Sequence, residues 1–271
     1  MKVNFGRKNK LDFKTNEAYK TLRTNIRFSG DDIKVIALTS SVPNEGKSAV
    51  SFHLANSLAE DEKKVLYIDA DIRKSVTIAR YDVDIETKGL THYLSGQSSL
   101  KDVIYETNIE NFSIIFTGQT APNPSELLGN DRFKELIQET RDQYEYVIID
   151  CPPLGSVIDA AIIAKFCDGA IIVIETDNAS YKIVQRVKKQ LEQSGCRILG
   201  AVLNKVEMGG KGYYGKGYYG NYYNRYYGNY GSYGKLGGGA VTIIKEAGKT
   251  EEPHIRGNAE REKNTHVSEE S

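Results

Sequence analysis

The sequence predicts an α/β protein: a doubly wound, mostly parallel sheet with helices on both faces, followed by a disordered C-terminal tail. Short, near-continuous apolar runs rich in β-branched residues alternate with segments of helical character, as parallel strands buried on both faces require. A loop ending in Gly46-Lys47-Ser48 follows the first such run and precedes a helical segment. From Gly209 to Gly239 the text turns to Gly, Tyr, Asn and Lys without aliphatic periodicity, which leaves nothing to pack.

The elements follow in order. Asn16 can cap a helix reaching about Phe28, with Ala18, Leu22 and Ile26 on one face and Lys20, Arg23 and Arg27 as a basic stripe on another. Lys34 to Thr39 reads as a buried strand, and Ser48 to about Ala59 as the helix after the loop. Val65 to Ile68 repeats the strand pattern and ends at Asp69; Tyr146 to Ile149 does so and ends at Asp150; Ala170 to Ile174 and Ile198 to Leu203 follow. Helical segments are expected near Leu90 to Leu94, Leu100 to Tyr105, Ser125 to Gln143, Val157 to Phe166 and Ala179 to Ser194. Four regions result: a leading segment over 1–30, a core domain over 31–208, a Gly/Tyr-rich tail over 209–239, and a polar, mostly disordered end over 240–271. Within that end Ala240 to Ile244 has weak strand character.

Composition narrows the function classes. The chain has 271 residues, 39% of them hydrophobic, enough for one sizeable core. Its 36 basic and 36 acidic residues cancel, so global charge points to neither a nucleic-acid nor a membrane-surface partner. Cys151, Cys167 and Cys196 are widely spaced, which speaks against a disulfide framework or zinc site and for small core residues of a reduced, intracellular protein. The start lacks the apolar region of a signal peptide, and no apolar run is long enough to span a bilayer.

The candidate site lies at the carboxyl ends of the strands, where sheets of this kind bind ligands. The loop Ser41-Val42-Pro43-Asn44-Glu45-Gly46-Lys47-Ser48 has the character of a phosphate cradle of P-loop NTPase type, with backbone N–H groups turned inward and a helix N-terminus behind them. Pro43, Asn44, Glu45, Gly46 and Ala49 would line the nucleotide, Lys47 would reach the β/γ-phosphate oxygens, and Ser48 would ligate Mg²⁺. Ser41 stands where such loops carry their first glycine; Asn44 stands at another frequent glycine position and tolerates a left-handed backbone. Asp150, followed by Cys-Pro-Pro, stands where a triphosphatase holds the magnesium shell. In Asp69-Ala70-Asp71-Ile72-Arg73, two carboxylates just past a strand end can face a γ-phosphate, one orienting or deprotonating a hydroxyl and one aiding the metal; a capping turn is the plainer alternative. Asn204 is either an adenine contact or a turn residue.

Together these motifs resemble the bacterial tyrosine kinases of capsule and exopolysaccharide operons. The resemblance rests on Pro43 to Ser48, on Val65 to Arg73, on Val147 to Pro153, on Pro122 to Leu128, and on the terminal tyrosine cluster. It implies MgATP-dependent autophosphorylation in trans, between neighbours in a ring, on Tyr213, Tyr214, Tyr218, Tyr219, Tyr222, Tyr223, Tyr226, Tyr227, Tyr230 and Tyr233. By that similarity Lys47 and Ser48 bind phosphate and Mg²⁺, Asp69 is the base, Asp71 and Asp150 support the metal, and Arg73 completes the catalytic set. It also implies the split arrangement, a cytoplasmic kinase recruited to the inner membrane face by a separate membrane-protein activator. The self-association helix of the family would be carried by Glu17, Lys20, Arg23 and Arg27, with Lys20 where the family pattern has arginine; an ordinary solvated helix face is the alternative.

Three other readings stay open. A partitioning or positioning ATPase of the same superfamily would transfer phosphate to water; such proteins usually carry a second lysine five positions before the loop lysine, where this chain has Val42. A scaffold with a degenerate site fits poorly with the intact Lys47, Ser48, Asp69, Asp71 and Asp150. The tyrosine tract could instead stack bases, although its basic charge is thin.

Overall fold

The computed structural model describes residues 2–6, 11–75, 77–80, 88–176, 178–206 and 240–245, with 79, 80 and 240–245 as backbone only. The predicted acceptor tyrosines between Tyr213 and Tyr233 and most of the polar end lie outside these residues.

The expected α/β sheet is present. Its strands are β1 (Lys2–Val3), β2 (Val35–Ser40), β3 (Val65–Asp69), β4 (Tyr105–Thr107), β5 (Phe112–Ile115), β6 (Tyr146–Asp150), β7 (Gly169–Glu175), β8 (Ile198–Val206) and β9 (Ala240–Lys245). They lie in the order β1-β4-β5-β3-β6-β2-β7-β8-β9. From β5 to β8 every neighbouring pair is parallel, while β4 against β5 and β9 against β8 are antiparallel. Parallel strands buried on both faces need helices on both, and the apolar side chains divide accordingly. Leu22 and Ile26 of α1 (Phe13–Arg27) and Leu54 and Leu58 of α2 (Lys47–Ala59) cover one face. The other is covered from α4 (Leu90–Leu94), α5 (Pro124–Leu128), α6 (Asp131–Gln143), α7 (Asp159–Ala164) and α8 (Tyr181–Gln193). The short α3 (Thr77–Arg80) follows β3.

Several expectations need correction. Helix α1 begins at Phe13, not after Asn16, because Asp12 is the cap: its carboxylate accepts from Thr15 N at 3.0 Å and Thr15 Oγ1 at 2.7 Å. The helix expected from Leu100 to Tyr105 is a single 3-10 turn, Leu100–Asp102, that runs into β4. The one expected from Ser125 to Gln143 is two helices, broken at Gly129 and restarted by Asn130, whose side chain caps Phe133 N at 3.0 Å. Strands β1, β4 and β5 were not expected; at two to four residues each they are too short to show periodicity.

Candidate nucleotide site

The loop after β2 takes the shape its residues allow. Asn44 and Gly46 both have positive φ, 69° and 88°, so successive peptide N–H groups turn toward one side. Only glycine fits at 46, where a Cβ would run into Asn204 Nδ2. Among the described residues, the backbone N–H groups of Gly46, Lys47 and Ser48 donate to no protein acceptor. Three free donors at the start of α2 form a ready anion cradle.

Register brings the carboxylates together. Asp69 and Asp150 are directly paired at the ends of β3 and β6, and Asp71 lies just beyond. Lys47, 8% exposed, reaches into this group, 3.0 Å from Asp71 Oδ2, 3.5 Å from Asp150 Oδ1 and 3.2 Å from Ser48 Oγ. Burial acts to lower the Lys47 pKa, but the charges of Asp150 and Asp71 outweigh it and the net shift is upward. Asp150 Oδ2 also accepts from the buried Tyr67 hydroxyl at 3.3 Å. Asp69 accepts from Ser75 Oγ at 2.6 Å, and burial, then the Asp150 charge, push its carboxyl up to about 7.

The other predicted residues are placed as follows. Glu45 is fully buried, and its carboxylate accepts from Ser41 N at 2.6 Å, Val42 N at 2.8 Å and Glu175 N at 3.1 Å. Asn204 donates to the Glu45 carbonyl at 2.9 Å, and Lys205 to that of Asn44 at 2.9 Å. Both side chains therefore touch the loop itself. Pro43 lies in the loop, and Ala49 N bonds back to Gly46 O at 3.0 Å in the first turn of α2. Arg73 forks onto buried Asp159 at 2.6 and 3.0 Å and reaches Ser125 Oγ at 3.0 Å. Glu17 pairs with Lys20 at 2.7 Å along α1. Arg23 and Arg27 both reach Asp61, at 3.3 and 3.0 Å, so the expected stripe is partly engaged within the chain.

Sequence reasoning missed Asp159, Tyr67, Ser75, Glu175 and Lys205. Tyr67 lay inside the Val65 to Arg73 motif, and Ser125, a partner of Arg73, inside the Pro122 to Leu128 motif, but neither was given a role.

Comparison with known proteins places the chain in a family. Residues 33–197 match the model of a family described as an AAA domain. The tyrosine-protein kinase CpsD of Streptococcus agalactiae is 43% identical over 82% of this chain and 91% of its own length. The chain belongs to the bacterial tyrosine-protein kinases. The solved kinase domain of the Escherichia coli tyrosine kinase ETK superposes with a TM-score of 0.70, at 36% identity over 75% of this chain and 80% of that one. The septum site-determining protein MinD of Pyrococcus horikoshii, solved with Mg-ADP, gives a TM-score of 0.55 at 27% identity over 62% and 69% of the two chains. The kinase therefore shares its fold with a protein solved with Mg-ADP.

The site of the kinase fits a magnesium nucleotide. Its free N–H groups suit phosphate, and one ammonium faces the three carboxyls of Asp69, Asp71 and Asp150, an excess of acid that a hard divalent cation would balance. Among the described residues no group of three or more His, Cys, Asp or Glu could hold a metal ion by itself. A magnesium ion bound through Ser48, Asp71 or Asp150 would complete its shell with phosphate and water, as that ion commonly does. Among the described residues, no helix is long and apolar enough to cross a membrane.

Proposed function

We propose that this kinase transfers the γ-phosphoryl group of MgATP to tyrosine hydroxyls of its own Tyr213 to Tyr233 tract, in trans between copies, and thereby regulates capsular or exopolysaccharide synthesis. The observation that carries the reading is the convergence of Lys47, Asp69, Asp71 and Asp150 at neighbouring strand ends around the free N–H groups of the loop. Lys47 neutralises charge on the phosphates as it develops. Asp69, paired with Asp150 at the strand ends and accepting from Ser75 Oγ, is the carboxylate that takes the tyrosine proton. The magnesium ion supplies charge neutralisation and alignment of the phosphates. A basic tract carrying Lys211, Lys216, Arg225 and Lys235 changes sign after a few phosphates, each adding roughly −1.5 to −2 charges, so a docked tract becomes a repelled one.

The kinase is further read as a cytoplasmic protein held at the inner membrane face by the cytoplasmic segment of a separate membrane-protein activator, and as a ring of copies joined through α1. Arg23 and Arg27 would then divide their contacts between Asp61 and a neighbour's acidic groups.

The deciding experiment is intact-mass and phosphotyrosine mapping of the purified chain after incubation with MgATP, with and without the activator segment. Successive phosphates on the tract, increased by the segment, are expected. ATP turnover with no phosphate on protein under either condition would replace this reading with that of a switch ATPase.

A further inference from the structure

Glu45 is an anomaly within its own loop. It sits in the middle of a phosphate cradle, where a negative side chain facing the ligand would repel it, yet it is 0% exposed. Its carboxylate points the other way. One oxygen accepts from both Ser41 N and Val42 N, at the start of the loop, and the other from Glu175 N, at the end of β7. Burial alone would make such a charge costly, and it does push the Glu45 carboxyl up against the three N–H groups that favour ionisation. A buried acid serving no ligand directly needs a structural return of another kind.

We propose that Glu45 is a positioning residue for the nucleotide phosphates, pinning the outer wall of the loop to β7 so that the N–H groups of Gly46, Lys47 and Ser48 stay aimed inward. The loop's peptide donors divide between two anions. Ser41 and Val42 give theirs to the internal carboxylate; Gly46, Lys47 and Ser48 keep theirs for phosphate. Asn204, bonded to the Glu45 carbonyl at 2.9 Å, holds the same residue from the opposite strand. The inference rests on the nucleotide reading of the loop and adds to it a side chain that acts through the backbone donors of Ser41, Val42 and Glu175.

The test is MgADP binding by calorimetry, with steady-state kinetics against MgATP and a tyrosine peptide, on the full chain and on Glu45→Gln and Glu45→Asp. Glu45→Gln keeps the shape but turns an N–H group toward a backbone donor. Its MgADP Kd and MgATP KM should rise about ten-fold or more, the scale of a lost charged hydrogen bond. Its kcat at saturating MgATP should stay within about three-fold of wild type, and the peptide KM should not move. Glu45→Asp, which keeps the charge near Ser41 and Val42, should recover part of the affinity. Wild-type affinity in Glu45→Gln would overturn the proposal, as would a loss confined to kcat. Failure of both variants to fold would also overturn it, by making Glu45 a residue of the fold alone. If the wild-type chain itself bound no MgADP, the nucleotide reading would fall first, and the wild-type titration separates that case from failure of Glu45 alone.

Discussion

The Lys47 ammonium lies 3.0 Å from Oδ2 of Asp71, tying the first residue of α2 to the segment just past β3. The same ammonium lies 3.5 Å from Asp150, so the phosphate-seeking lysine is held by the acids that would share the site with it. On the proposed function, incoming phosphate would compete for this ammonium, and a cation arriving with the nucleotide would compensate the acids left behind.

Lys47→Met should abolish phosphoryl transfer, and it should also lower stability by about 3 kcal/mol, because it strands buried carboxylates without their counter-charge. The chain should remain folded. Adding Asp71→Asn should recover much of the melting temperature and none of the activity. Tract phosphorylation persisting in purified Lys47→Met would defeat the assignment of the lysine.

Gly46→Ala places a side chain on a left-handed backbone and against Asn204 Nδ2. Backbone strain alone costs about 1–2 kcal/mol, and relieving the contact displaces the loop. Nucleotide affinity should therefore fall by more than the loss in stability predicts, as calorimetry and urea denaturation together can check.

Asp159 is fully buried and takes both arms of the Arg73 fork. Asp159→Asn should destabilise by about 2 kcal/mol, less than a fully buried pair would lose because Arg73 is partly solvated. Arg73→Lys, which cannot make the fork, should lose about 1 kcal/mol in urea denaturation. Unchanged stability with a collapse in kcat would show instead that Arg73 leaves Asp159 to serve the phosphates.

Burial raises all three thiols, Cys196 to about 11 and Cys151 and Cys167 well above the ordinary value. Because the thiolate is the nucleophile, the native chain at pH 8 should react with a thiol reagent far more slowly than the urea-unfolded chain, which should titrate all three cysteines. Reactivity should rise as pH climbs toward the raised value for Cys196. Rapid native labelling of Cys151 or Cys196 at pH 8 would contradict their burial.

What was legible in the sequence was what is local. The loop, the strands ending in Asp69 and Asp150, and the left-handed tolerance of Asn44 all show in short stretches of text, because strand ends and tight turns have their own residue chemistry. The partners were not legible. Glu45 meets Glu175 and Arg73 meets Asp159 only after the sheet has assembled, and no local pattern marks a carboxylate as belonging to a distant backbone or guanidinium. The cap at Asp12 was missed for a different reason, since Asn16, inside the helix, offered the same chemistry four residues later.

Asn204 and Lys205 sit at the end of β8, in the last stretch of strand before the chain enters its tyrosine-rich tract, and both grip the phosphate loop. Thermodynamic reciprocity attaches a consequence to that grip. If nucleotide binding tightens the loop and so steadies these two residues, then anything that pulls on them from the tract side changes nucleotide affinity by the same free energy. A tract gaining negative charge, its first tyrosine only eight residues beyond Lys205, would then be registered at the cradle through the strand end itself.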